Sequence, residues 1–323
     1  MDRVKIVVPD DFPMSYGSPD HPDLARLRDY GDVQTFTTRF ADREEFFARI
    51  ADAEVVINVR AYSQFDEEAL ALAPKLKLIS VQGVGTDNVD LEAAKRRGVV
   101  VTNTPGVNSV SVAELAIGLM IAAVRAIPLS DRRMRDGTWQ HPPAFELHGK
   151  TLGLLGLGAI GSHVARIGKG LGMDVVAWSW RRDPERAQRL GVELVERDEL
   201  FRRSDVVSVH LKNTPEARGS VGAAELGLMK PTAVLVNTAR AAILDQDAVV
   251  AALRDGTIAA AGLDVYLTEP LPPDQNPYKD LDNVVLMPHA GGVTRESSER
   301  SNRAPVENVI EYLEGRPTNV VNP

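Results

Sequence analysis

Short apolar runs alternate along this chain with stretches whose apolar positions recur at helical spacing. In the first hundred residues the runs Val4–Val8, Val33–Phe36, Glu54–Asn58, Leu76–Val81 and Val99–Val101 read as strands. Leu24–Tyr30, Arg43–Ala51, Glu67–Leu72 and Leu91–Arg97 read as the helices between them. Strands that are apolar throughout, separated by helices, predict a parallel sheet covered on both faces.

A second series of the same kind starts after Thr104-Pro105-Gly106. Ser109–Ile127 reads as one long helix, apolar nearly all round, which buries it in a core or between subunits. Strands follow at Leu152–Leu155, Asp174–Trp178, Asp205–His210, Ala233–Asn237, Ala259–Asp264 and Val284–Met287, mostly separated by helices. Asp183-Pro184 pairs a good N-cap with proline at the first helical position. An amphipathic helix over Glu296–Leu313 ends the pattern. These readings predict an α/β protein with two doubly wound domains, the second beginning near residue 102.

The strand Leu152–Leu155 runs into Gly156, Gly158 and Gly161, spaced G-x-G-x-x-G, and a helical pattern with Val164, Ile167, Gly168 and Leu171 on one face follows. The spacing alone is a weak signal; between a strand and a helix it is a dinucleotide fingerprint. Gly156 serves the tight turn, Gly158 the approach of a pyrophosphate, and Gly161 the packing of helix on strand. Free amides near Ala159 and Ile160 at the helix start then meet the phosphate charge.

The chain has 323 residues, a net charge of −8 and no cysteine. Its charges are mixed, without the clustered basic face that a nucleic acid requires. Disulfides, a thiol nucleophile and a cysteine zinc site are excluded, and His21, His141, His148, His163, His210 and His289 lack metal-ligand spacing, so no metal is expected. Neither a secretory segment nor a spanning helix is read, so no membrane association and a cytoplasmic location are expected.

In open α/β sheets ligands sit beyond the carboxyl ends of the strands. There the second series carries Asn237-Thr-Ala-Arg240, then Asp264 and Glu269-Pro270, then Pro288-His289-Ala-Gly-Gly292. Arg240, Asp264, Glu269 and His289 are expected to gather at one rim. A guanidinium grips a carboxylate and polarises the adjacent carbonyl. An imidazolium protonates a developing alkoxide, and a neighbouring carboxylate favours its charged form.

Together with Val81-Gln-Gly-Val-Gly-Thr-Asp-Asn-Val-Asp90, Asn108 to Glu114, Ser204-Asp-Val-Val-Ser-Val-His-Leu211 and Thr214-Pro215, these motifs resemble the D-isomer-specific 2-hydroxyacid dehydrogenase family over nearly the whole length. The resemblance implies a Rossmann dinucleotide-binding domain, residues 102–292, inserted in a flavodoxin-like substrate domain made of residues 1–101 and 293–323. It implies that Arg240 binds substrate, that Glu269 and His289 form the acid–base pair, and that Asp264 lies near the nicotinamide. It assigns the Val84 and Gly85 amides to the substrate carboxylate, with Arg60 where some members touch substrate. Thr238, Ala239, Gly291 and Gly292 would line the nicotinamide side, and His210 and Leu211 the cofactor cleft. It also implies a homodimer through the 109–127 helix. Substrate specificity would reside around residues 61–64 and 82–88.

NAD sites place an acid at the end of the second strand. Here that strand begins with Asp174 and ends in Ser179-Trp180-Arg181-Arg182, a set suited to a 2′-phosphate. NADP is therefore expected over NAD, with Ser179, Arg181 and Arg182 as its readers. The reaction expected is reduction of a small 2-keto acid, of glyoxylate or hydroxypyruvate type, to a D-2-hydroxy acid. A phosphoglycerate dehydrogenase is one alternative, although a chain ending at Pro323 is expected to leave no room for the regulatory domain of longer forms. A nicotinamide-sensing, corepressor-like interaction protein is the other. Ala241-Ala242 stands where the family commonly has glycines, a change that costs little unless φ is positive there.

Overall fold

Among the described residues every strand pairs in parallel with its neighbours, and most are apolar on both faces, so helices must cover both sides of each sheet. The computed structural model describes residues 3–59 and 62–323, so Arg60 and Ala61 lie outside the described residues.

One unit spans Met1–Asn108 and Thr294–Pro323. Its strands are β1 (Val4–Val8), β2 (Gly31–Thr35), β3 (Val55–Asn58), β4 (Leu78–Val81) and β5 (Val100–Thr102), in the order β2-β1-β3-β4-β5. That is the flavodoxin-like order. Side chains alternate across the sheet. Val7, Val56, Ile79 and Val101 enter one core with Phe46 and Phe65. Ile6, Val8, Ile57 and Leu78 enter the other with Val306 and Val309 of the helix Arg295–Leu313. The Ser80 hydroxyl donates to the Pro305 carbonyl at 2.9 Å, and the Val321 amide pairs with the Val101 carbonyl.

The segment after β5 stays in this unit, since the Thr104 amide donates to the Gly83 carbonyl and the Asn103 amide to that of Asn319. The units therefore change over at Asn108/Ser109 and Val293/Thr294, whereas the sequence reading divides them near 102 and 293.

The second unit, Ser109–Val293, holds β6 (Thr151–Leu155), β7 (Asp174–Trp178), β8 (Glu193–Leu194), β9 (Val206–Val209), β10 (Val234–Asn237), β11 (Ala260–Leu263) and β12 (Val284–Leu286). The order β8-β7-β6-β9-β10-β11-β12 is the Rossmann order with one further strand. The chain reverses its direction of travel between β6 and β9, the switch point where ligands bind in such sheets.

The long apolar helix is shorter than the hydrophobic pattern suggests. It runs over Ser109–Val124, and a second helix over Ile127–Arg135 leaves it at 59°. Ala126 adopts a left-handed φ of 47° at the break, and Pro128 enters the new helix in its first turn, where its missing N–H is no loss. Most of Ser109–Val124 is buried inside its own unit, because Gly262 of β11 lets it approach the sheet. A Cβ at 262 would stand 2.8 Å from the Leu119 Cβ. Among the described residues no single helix is long and apolar enough to cross a membrane; this bent pair passes only jointly. The short strand β8 and the helix Arg197–Arg203 are not separated out by the sequence pattern.

Candidate active site

The β6 exit builds the phosphate turn as its glycines require. Gly156 has φ +105°, and a Cβ there would lie 2.6 Å from the His210 carbonyl oxygen. A Cβ at Gly161 would lie 2.2 Å from the Gly156 carbonyl oxygen, so glycine alone lets the helix Ala159–Gly170 start this close to the turn. At Gly158 a Cβ would meet nothing, which leaves room for a ligand over the helix N-terminus. Among the described residues no side chain caps that terminus, which leaves the amides at Ala159 and Ile160 facing the space over Gly158.

The peptide of Leu157, inside this turn, is held on both sides by the segment after β7. The Leu157 N–H donates to Ser179 Oγ at 2.8 Å, and Arg186 donates to the Leu157 carbonyl at 2.9 Å. Nothing in the sequence separates Arg186 from Arg189 of the same helix, Pro184–Leu190. Arg182 is turned toward β8, with Glu196 at 3.2 Å and the Val195 carbonyl at 3.4 Å. Arg181 is exposed and has no ion pair among the described residues.

On the other side of the switch point, β10, β11 and β12 are adjacent and parallel, so their exits lie side by side. After β10, Asn237 shapes the turn: its Oδ1 accepts the Ala239 amide and its Nδ2 donates to the Arg240 carbonyl, both at 3.0 Å. Arg240 emerges half-buried, with a guanidinium nitrogen donating to the Ala239 carbonyl at 2.8 Å. Ala241 and Ala242 follow in a short 3-10 turn without positive φ, so alanine is unstrained there.

After β11 comes Asp264 and after β12 comes His289. His289 Nδ1 and Glu269 Oε2 are 2.6 Å apart, an ion pair when the imidazole is protonated. The hydrogen bond that the imidazole donates to Glu269 is the main reason it is held above its usual range; burial opposes it, the charge of Asp264 assists, and Arg240 opposes. For Glu269, burial alone would raise the carboxyl. The bonds from His289 and from the Tyr266 amide, with the Arg240 charge, outweigh burial and keep it below the usual range. Arg240, Glu269 and His289 thus sense one another's charge at one rim.

The remaining candidates fall as follows. Asp264 is 1% exposed, and its carboxylate accepts the Ala290 amide at 2.7 Å and the Gly291 amide at 2.9 Å. Burial raises its carboxyl, against those two bonds. His210 follows β9 with Nε2 2.9 Å from Ser208 Oγ, and burial pushes its imidazole down to about 4. It is therefore neutral and lines the turn. Leu211, Thr238 and Ala239 are buried at the same edge, and Gly291 and Gly292 continue the His289 turn. In the first unit, Val84 and Gly85 follow β4 in a loop tied by the Asn103 side chain to the Val84 carbonyl at 2.8 Å. Arg60 lies outside the described residues. Tyr266, which the sequence reading passes over, donates its amide to Glu269 Oε1 at 2.9 Å and its hydroxyl to the Met287 carbonyl at 2.8 Å.

These residues fit a dinucleotide. Besides the open space at Gly158, Thr238 Oγ1 and His210 Nδ1 are buried at the carboxyl edge without a partner among the described residues. Polar atoms buried this way ordinarily have a bonding partner.

Fold and site together define an α/β protein whose dinucleotide-type unit carries a guanidinium beside a carboxylate–imidazole pair. The chain belongs to the D-isomer specific 2-hydroxyacid dehydrogenase family, whose NAD binding domain matches residues 117–291, more than half of its length. It is 44% identical over 285 residues to the glyoxylate reductase of Aeropyrum pernix, covering 85% of this chain and 84% of that protein. It is 42% identical over 283 residues to the D-3-phosphoglycerate dehydrogenase of Archaeoglobus fulgidus, covering 87% of this chain and 53% of that protein. The chain thus spans little more than half the length of that relative. The solved structure of the TT0316 protein from Thermus thermophilus superposes with a TM-score of 0.88 at 37% identity, covering 98% of this chain and 100% of that one.

Proposed function

We propose that this protein reduces a small 2-keto acid to the D-2-hydroxy acid with a nicotinamide cofactor, NADPH before NADH. The observation that carries this reading is the 2.6 Å Glu269–His289 pair within electrostatic reach of Arg240, at the sheet edge that carries the glycine turn. The cofactor supplies the hydride when bound. Gly156, Gly158 and Gly161, with the amides at Ala159 and Ile160, receive its pyrophosphate. Leu211, Thr238, Ala239, Gly291 and Gly292 line it, with His210 as a neutral wall.

Arg240 holds the substrate carboxylate and draws electron density from the adjacent carbonyl. His289, protonated, gives its proton to the oxygen as the alcohol forms. Glu269 orients the imidazole and keeps it charged. In the first unit the Val84 and Gly85 amides are the groups assigned to the substrate carboxylate, and Arg60 is a further substrate contact. Similarity to a glyoxylate reductase across most of both chains supports glyoxylate or hydroxypyruvate as substrate class. Similarity to phosphoglycerate dehydrogenases supports a phosphorylated 3-carbon keto acid as the alternative.

NADPH preference is supported by Ser179, Arg181 and Arg182, where NAD sites place an acid. Arg181 is the stronger reader, because Arg182 already pairs with Glu196. A homodimer through the 109–127 region is supported by exposed Val110 and Ile127.

The test is loss of reduced-cofactor absorbance with glyoxylate, hydroxypyruvate and phosphohydroxypyruvate, using NADPH and NADH in turn. Turnover of the first two with NADPH, giving the D product, is expected. No turnover with any pair overturns the reading, and a clear preference for NADH overturns the cofactor assignment. Arg181→Ala is expected to raise KM for NADPH about tenfold and to spare NADH, whereas Arg182→Ala has the smaller effect.

A further inference from the structure

The two amides after His289 both point at Asp264, and the carbonyl two residues before it meets Tyr266. His289 has a left-handed φ of 54°, a conformation that β-carbon-bearing residues hold only when neighbours impose it. Met287 carries the turn on one side: its carbonyl accepts the His289 amide at 3.1 Å and the Tyr266 hydroxyl at 2.8 Å. Asp264 carries it on the other side through the Ala290 and Gly291 amides. A Cβ at Gly291 would stand 3.0 Å from Asp264 Oδ2 and 3.3 Å from Val112 Cγ2, so the approach of that amide depends on glycine. Tyr266 also donates its own amide to Glu269 Oε1, and so links Glu269 to the Met287 carbonyl that accepts the His289 amide.

We propose that Asp264 and Tyr266 are positioning residues, a two-sided brace from the β11 exit that holds the His289 turn at hydrogen-bonding distance from Glu269. Both carboxylate oxygens of Asp264 are engaged by the brace, which assigns this residue to the turn where the family resemblance assigns it to the nicotinamide. The inference rests on the acid–base reading of Glu269 and His289. The charged groups facing the imidazole are Glu269 and Asp264 from the β11 exit and Arg240 from the β10 exit. Slackening the turn weakens the bond that the imidazole donates to Glu269, the largest of the influences that keep it protonated, so the titration of His289 must move to lower pH.

Asp264→Asn and Tyr266→Phe test this in the full-length protein, with Glu269→Gln and His289→Asn as controls. Keto-acid turnover and NADPH affinity by fluorescence titration are measured for each, and the His289 titration by NMR for each variant that keeps the imidazole. Misplacing a reacting group by about 1 Å costs on the order of a hundredfold in rate, so a loss of that size is expected for Asp264→Asn and about threefold for Tyr266→Phe. NADPH affinity is expected to stay within about twofold of the parent, and His289 to titrate at lower pH in both variants. Weakened NADPH binding with unchanged turnover in Asp264→Asn would make Asp264 a cofactor contact and overturn the brace. An unmoved His289 titration in Tyr266→Phe, which keeps the ring and the main-chain amide, overturns it as well, even where Asp264→Asn fails to fold. Full turnover in the two controls would instead overturn the acid–base reading, a separate result.

Discussion

Two turns at the same sheet edge adopt left-handed backbone, and they do so by opposite means. At Gly156 the residue has no β-carbon, so φ +105° costs nothing sterically, and the amides of the following helix remain open to an anion. At His289 the side chain is the point of the turn, so φ 54° costs about 1–2 kcal/mol. Hydrogen bonds to a charged group contribute about 1.5–3 kcal/mol each, and Asp264 makes two, enough to offset that cost. The amides after His289 are thereby consumed in positioning. A turn that receives a ligand is made by omitting atoms; a turn that presents a proton donor must be tied down.

The comparison breaks hardest at His289. His289→Asn keeps the turn but removes the proton donor, so keto-acid reduction in a steady-state assay is expected to fall about 10²–10⁴-fold while NADPH binding persists. Near-normal turnover would leave the tied-down turn without a purpose.

Gly156→Ala attacks the other turn. Its Cβ would meet the His210 carbonyl oxygen at 2.6 Å in a backbone conformation that alanine resists. A loss of about 2 kcal/mol, read as roughly thirtyfold weaker NADPH binding in a fluorescence titration, is expected with the keto-acid chemistry otherwise intact.

The smallest effect concerns pH. Glu269 holds the His289 imidazole above its usual range, so the protonated form needed for reduction persists to higher pH and is lost as pH rises through the folded value. Glu269→Gln removes that support, and the alkaline limb of kcat/KM for reduction is expected to move to lower pH. A limb that stays in place would separate Glu269 from the titration.

Much of this was legible in the chain. Parallel sheets follow from strands apolar on both faces, and the fingerprint follows from three glycines between a strand and a helix, because each signal is local and periodic. The break at Ala126 was hidden within a continuous apolar pattern, which registers burial but not the left-handed turn that ends the helix before Pro128. β8 is two residues long, too short to carry a period. At the rim, Arg240, Glu269 and His289 were legible as residues that follow strands.

Residue order along the chain sets the list of reactive groups and the sheet edge they occupy, since strand direction and connection order fix which ends of the strands share a rim. Which groups bond to which was decided by the folded chain. Arg182 turns to Glu196 while Arg181 stays open, Asp264 spends its carboxylate on the Ala290 and Gly291 amides, and Tyr266 reaches from Glu269 to Met287. Hydrogen bonds at these lengths depend on backbone positions set by neighbouring strands that are distant in sequence, and no periodicity along the chain encodes that distance.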